Sequence, residues 1–209
     1  MAQVIIRRYR EADGPQAVAV FRDASGTLRK SRGGTHPDEE VDLLLGKDDK
    51  SLLELLLHGS IVFVAEVEGT GELAGIGALT DNLPARITNS TYSRNHYVRE
   101  AFQHGKAGFS IGRPLREATI GEAKRLGYRK MYGFSTPEAV GFHRKFGAVF
   151  YPEHNAKLFG TVTVQYYEIE LRKSAWNRLH IEPYVHRLGR IYGSILNFFR
   201  GPIKPAAGA

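Results

Sequence analysis

The chain has no cysteine among its 209 residues. Disulfides, thiolate metal ligands and a cysteine nucleophile are therefore excluded. The first residues, Met1-Ala2-Gln3-Val4, lack the apolar core of a signal peptide, and no apolar run is long enough to span a bilayer. The histidines are scattered without ligand spacing, so no metal site is expected. There is no internal repeat and no low-complexity segment. These absences lead us to expect a cytoplasmic protein that uses no metal. Attachment at the periphery of a membrane is open only to the C-terminal tail.

Hydrophobic residues make up 42% of the chain, enough for one sizeable core with an appendage. The net charge of +7 is unevenly spread. From Arg172 to the end, seven basic residues stand against Glu182 alone, a net +6 that leaves about +1 for the rest. The division expected is residues 1–171 as the main domain and 172–209 as a basic extension. In the extension Tyr184, Leu188, Ile191, Tyr192, Ile195, Leu196, Phe198 and Phe199 recur on one stripe, with Arg187 and Arg190 off it. This pattern predicts an amphipathic basic helix. Packing on the domain or in a homodimer is its first reading, and a membrane surface or acidic partner is the alternative. Nucleic acid is not expected, because no recognition motif accompanies the charge.

Along the chain, Val4 to Ile6 predicts a strand. Asp13-Gly14-Pro15-Gln16 predicts a helix start, with Asp13 capping and Gln16 closing a capping box, and the helix ends near Ser25-Gly26. A polar loop from Lys30 to Gly34 precedes a helix start at Pro37-Asp38-Glu39-Glu40. Leu52 to Leu57 predicts another helical turn, closed by His58-Gly59. Ile61–Glu66 and Leu73–Leu79 predict a hairpin of strands, the second rich in small residues. Thr88 to Asn95 is polar and reads as a loop. Val162 to Leu171 alternates as a strand.

The richest stretch runs from His96 to Ala148. A strand-like segment, His96 to Phe102, leads into a glycine-rich turn from Gly105 to Gly112, and a helix follows that ends at Leu126-Gly127-Tyr128. Pro114 fits only the first turn, which sets the start near Ser110. Ile111, Leu115, Ala118 and Leu126 define the apolar stripe, and Gly121 suggests close packing. A strand from Lys130 to Phe134 then opens into Ser135 through Ala148. A glycine turn at a helix start suits an anion, because its backbone N–H groups lack intrahelical partners and the helix dipole is positive there.

These segments resemble the acyl-CoA-binding core of the GCN5-related N-acetyltransferase (GNAT) family. After the second strand, Thr136, Ala139, Phe142, His143 and Gly147 fall on the positions of that family's Asn-x-x-Ala-x-x-Phe-Tyr-x-x-x-Gly pattern. In the glycine motif, counting back from Leu126-Gly127-Tyr128 puts Ala107, Ser110 and Gly112 on the motif positions. Counting forward puts Gln103 and Gly108 there. The resemblance covers roughly residues 2–171 and implies an α/β fold, a GNAT-like mixed central sheet flanked by helices. It further implies transfer of an acetyl or other acyl group from acetyl-CoA, or another acyl-CoA co-substrate, to an amine. Gly108, Phe109, Ser110, Ile111, Gly112 and Arg113 would hold the CoA pyrophosphate. Val98 would polarise the thioester carbonyl, and Thr136, Ala139 and Phe142 would complete the cofactor wall. His143 stands where the family has the tyrosine that protonates the leaving thiolate. Glu100, Glu66 and His96 are the candidate bases. The alternatives are an enzyme for longer acyl donors, or a non-catalytic GNAT-fold binding protein acting through its basic tail.

Overall fold

The computed structural model describes residues 3–31, 48–105, 110–158, 162–178 and 180–184. The chain divides into two compact units, Met1–Ser174 and Ala175–Ala209. In the second, Ala175–Arg178 is a 3-10 turn with Trp176 exposed. The stripe expected beyond Tyr184 lies outside the described residues, as do the second helix start at Pro37-Asp38-Glu39-Glu40 and the Lys30–Gly34 loop beyond Ser31.

The first unit is a mixed sheet with helices on both faces. In chain order it comprises β1 (Val4–Arg8), α1 (Gly14–Ser31), α2 (Asp49–Leu57), β2 (Ser60–Val67), β3 (Leu73–Thr80), α3 (Leu83–Thr88), β4 (Ser90–Val98), α4 (Gly112–Arg125), β5 (Lys130–Ser135), α5 (Val140–Arg144), β6 (Val149–Phe150), β7 (Ala156–Leu158) and β8 (Val162–Glu170). The strand order is β1-β2-β3-β4-β5-β8-β6, with β7 also on β8. Only β4 and β5 run parallel among the described pairings.

Val62, Val64, Ile76 and Ala78 face α1 through Ala17 and Val20. On the opposite face Ala65 and Ala74 pack with Leu115 of α4 and with Ile111 just before it, Ala74 turned to that face by a bulge opposite Ala65 and Glu66. Side chains alternate across a strand, so each strand feeds both cores. The small residues of β3 set how close α4 lies. A Cβ on Gly75 would come 2.9 Å from Ile111 and 3.0 Å from both Leu115 and the Tyr97 carbonyl. Helix α4 ends in a Schellman motif: Tyr128 N–H donates to Ala123 and Gly127 N–H to Lys124, with Gly127 at φ +80°.

Several expectations are corrected. Asp13 is buried in a 3-10 turn, where it accepts two hydrogen bonds from Arg7 at 2.7 and 2.8 Å and one from the Arg10 amide. Gln16 makes no capping box; it donates to Gly71 and accepts from the Leu73 amide, tying α1 to the start of β3. Helix α1 runs past Gly26 to Ser31. The segment read as a loop, Thr88 to Asn95, is the end of α3 and the first half of β4. Its polar side chains satisfy themselves inside: Ser90 and Thr91 are buried, and the Thr91 hydroxyl donates to the Thr80 carbonyl at 2.7 Å. On α4 the buried face is Leu115, Arg116, Thr119 and Ala123, continued by Ile111 just before the helix, while Leu126 just after it is exposed. Gly121 packs against nothing within 4 Å.

Candidate active site

β4 and β5 stay paired only over Ser90–Tyr92 and Lys130–Tyr132. Beyond that point both strands continue, β4 to Val98 and β5 to Ser135, without pairing each other. The other edge of β4 remains on β3 as far as Val98. A bulge lies on the way: between the pairs Ala78↔Arg94 and Ile76↔Tyr97, β3 contributes Gly77 and β4 contributes Asn95 and His96. The sheet therefore opens a split whose β4 side presents backbone groups without strand partners among the described residues.

Three elements converge beside the split. Helix α4 begins at Gly112, with Pro114 in its first turn. His96 of β4 donates Nε2–H to the Gly112 carbonyl at 3.2 Å. Because that carbonyl can only accept, the His96 hydrogen sits on Nε2. Phe142 of α5 packs beside both, 5.7 Å from the His96 ring and 3.4 Å from where a Cβ on Gly112 would stand. His143, the next residue, is buried and stacks on Tyr167 of β8 with ring centroids 4.5 Å apart and planes at 23°. Its Nδ1 has no hydrogen-bond partner.

Burial, then the nearby Arg116 guanidinium, pushes the His143 imidazole down to about 3, with His96 adding to the effect. Burial and Arg116 push His96 down to about 3 as well, against the opposing hydrogen bond to Gly112. Both rings are neutral at pH 7. His143 therefore meets the site as a neutral imidazole with one N–H, rather than as an imidazolium.

The remaining candidates are spread around this centre. Val98 is the last residue of β4 and accepts from Gln103 Nε2 at 2.8 Å. Gln103 belongs to the 3-10 turn Glu100–Gly105, so the count from Leu126-Gly127-Tyr128 is the one that lands on the helix start. Glu100 opens that turn, and its amide donates to Asp23 of α1 at 2.6 Å. Gly108 and Phe109 lie outside the described residues, as does Ala107. Ser110 is exposed, and the Ile111 side chain is in the core, which leaves its backbone for a ligand. Arg113 is exposed and paired with Glu117 at 2.8 Å. Thr136 precedes the 3-10 turn Pro137–Ala139, which carries Ala139 into α5. Glu66 is engaged by Arg7. Among the described residues no group of three His, Asp or Glu side chains is placed to hold a metal ion, and no helix is long and apolar enough to cross a membrane.

Sequence reasoning missed Arg116, Ser93, Tyr167 and Asp23. One signal for Arg116 was present: it lies one position after Leu115 and three before Thr119, inside the inward arc of α4.

No family model and no curated protein sequence matches the chain. Solved structures do match it. The PaiA N-acetyltransferase of Thermoplasma acidophilum, solved in complex with coenzyme A, aligns with a TM-score of 0.60 at 15% identity over 80% of this chain and 99% of that one. A GCN5-related N-acetyltransferase from Rhodopseudomonas palustris gives 0.61 at 16% identity over 81% and 97%. The ribosomal-protein-S18-alanine N-acetyltransferase of Escherichia coli gives 0.56 at 13% identity over 83% and 97%. The chain has the fold of the GCN5-related N-acetyltransferases.

Proposed function

We propose that this chain is an N-acyltransferase that moves an acetyl or other acyl group directly from a CoA thioester to an amine. The observation that carries the reading is the split: the freed edge of β4 runs to Val98. Backbone groups on such an edge that have no strand partner among the described residues call for a polar, strand-like ligand, although the Val98 carbonyl already accepts from Gln103. The amide-bearing arm of CoA is such a ligand. The start of α4 at Gly112 supplies N–H groups and positive potential for the pyrophosphate, with Ser110, Ile111 and Arg113 around it. In this reading Thr136, Ala139 and Phe142 complete the cofactor's surroundings, Phe142 from its place beside Gly112. The fold's likeness to a structure solved with coenzyme A supports the same reading.

The reaction joins the amine nitrogen to the thioester carbonyl carbon and breaks the carbon–sulfur bond. The nitrogen gives up one proton and the departing sulfur gains one. In this reading an amide at Val98 polarises the carbonyl. Glu100, just past the free end of β4, takes the amine proton, directly or through water. His143 holds the departing sulfur with a hydrogen bond from its neutral N–H and keeps that proton; the proton the sulfur gains comes from water, to which Glu100 returns the one it took.

The test is release of free thiol from acetyl-CoA and longer acyl-CoAs across a panel of amines, with thermal shift by CoA alone. Turnover with acetyl-CoA supports the reading, and turnover only with long chains moves it to the longer donors. Binding without turnover makes the chain a CoA-binding protein, and neither binding nor turnover rejects the proposal. The His143→Phe variant should lose about 10²–10³-fold in kcat with acyl-CoA affinity kept, the loss of one fixed donor to developing charge; full turnover in that variant removes His143 from the chemistry.

A further inference from the structure

Among the described residues Arg116 is a buried cation without a counter-charge. Its side chain is fully enclosed, at 0% exposure. One Nη donates to Ser93 Oγ on β4, and the other donates to the Tyr167 hydroxyl on β8 at 2.7 Å. The guanidinium also lies 5.4 Å from the centre of the Tyr167 ring. Its Nε has no acceptor. No carboxylate among the described residues pairs with it. Glu168 follows Tyr167 in sequence, yet it points to the other face of β8, where it pairs with Lys130 at 2.8 Å and accepts from Tyr166.

Enclosing a charge with neutral partners alone is costly, and an apolar side chain of similar volume is often the more stable choice. Packing therefore does not account for an arginine here. Its connections give a better reason. Ser93 lies on β4 just past the last residue paired to β5, and Tyr167 lies on β8, beyond β5. Tyr167 reaches across β5 at Gly133, where a Cβ would stand 2.6 Å from the phenolic oxygen. The guanidinium thus spans the two sides of the split at its base. The same Tyr167 ring carries His143 in a stack.

We propose that Arg116 is a positioning residue: acting through Tyr167 and Ser93, it fixes the His143 ring beside the split, and its unpaired charge bars a second positive charge from that ring. The step this serves rests on the acyl-transfer reading; the tie itself does not. Among the described residues the titratable groups facing His143 are Arg116 from α4, His96 from β4 and Tyr167 from β8. Phe142 and Phe150 add apolar surface around the same stack. Like charge from Arg116 raises the cost of protonating either ring, and burial acts in the same direction.

The experiment compares wild type with Arg116→Met, Arg116→Lys and Tyr167→Phe. It follows the His143 ring by NMR during acid titration, with no acyl-CoA present. Arg116→Met should raise the proton affinity of His143 about tenfold, so that ring protonation begins about one pH unit higher. Arg116→Lys should hold the onset near wild type. In turnover, Arg116→Met should lower kcat and move its acidic limb upward while KM for acyl-CoA stays. An unchanged onset and an unchanged kcat profile in folded Arg116→Met would overturn the proposal. If that variant fails to fold, Tyr167→Phe decides. It keeps the ring and loses the hydroxyl, and it should lower kcat about tenfold with KM kept; wild-type kcat would overturn the proposal. A ring that responds as stated in a protein with no acyl-CoA turnover upholds the tie and rejects the functional reading.

Discussion

Lowering the pH from 7 to 5 should cost this protein stability before its carboxylates begin to titrate. His96 and His143 are both pushed to about 3 in the folded chain, from an ordinary value of 6.5. Unfolded, they return to that ordinary value. Between the two values the unfolded chain binds more protons, so stability falls as pH falls through this window and is complete above 6.5. Each pH unit travelled inside the window removes about 1.4 kcal/mol per ring, so each ring withdraws about 2 kcal/mol between pH 7 and 5. Two rings together approach about 4 kcal/mol, a large part of the roughly 5–15 kcal/mol typical of a domain. The carboxylates of Asp13, Asp81 and Glu122 act elsewhere on the scale. Arg7 holds Asp13 low, Arg86 and Tyr128 hold Asp81 low, and Arg125 holds Glu122 low. Their contribution is complete above the ordinary carboxylate range and is lost only as pH falls below it. Urea unfolding at pH 7, 6 and 5 provides the assay, with His143→Phe alongside. Wild type should lose stability over this range, and the variant should lose about half as much. Equal stability of wild type at pH 7 and 5 would refute the placement of both rings.

Two substitutions probe the packing around α4. Gly121→Ala should raise stability by about 0.5–1 kcal/mol, because Gly121 is an exposed helical residue with nothing near its missing Cβ; a lower melting temperature would show that the site is not open. Gly133→Ala should cost about 1–3 kcal/mol in urea unfolding and disturb the Tyr167 ring signals, since the new methyl collides with that phenol; wild-type stability and spectra would show that Tyr167 does not cross β5 there.

Much of this frame was legible in the sequence. Pro114 and Gly127 marked both ends of α4, because each residue fits only one kind of helix position. The alternation of β8 and the small residues of β3 were equally plain. What hid did so for a physical reason. β4 reads as a loop because its first residues are polar, yet Ser90 and Thr91 are buried, and the Thr91 hydroxyl bonds inward to Thr80. The α4 stripe was drawn through Ala118 and Leu126, and the true inward face includes Arg116. Hydropathy cannot reveal a charge that the fold encloses. Gln16 had the spacing of a capping box, but its partners on the β2–β3 hairpin are more than fifty residues away in sequence. The candidate site is assembled from β4, α4, α5 and β8, so Ser93, Arg116, His143 and Tyr167 share no local motif.

The central claim is that a CoA thioester lies in the split with its pyrophosphate at the start of α4. Calorimetric titration of CoA into wild type and Gly112→Val tests it most directly. In the variant the added methyls crowd Phe142, 3.4 Å from the Cβ position, and stand where the backbone must approach the anion. The account predicts saturable binding of one CoA per chain in wild type and affinity at least several-fold weaker in the variant, with its circular dichroism unchanged. Absence of CoA binding to wild type, or equal affinity in a folded Gly112→Val, would contradict it.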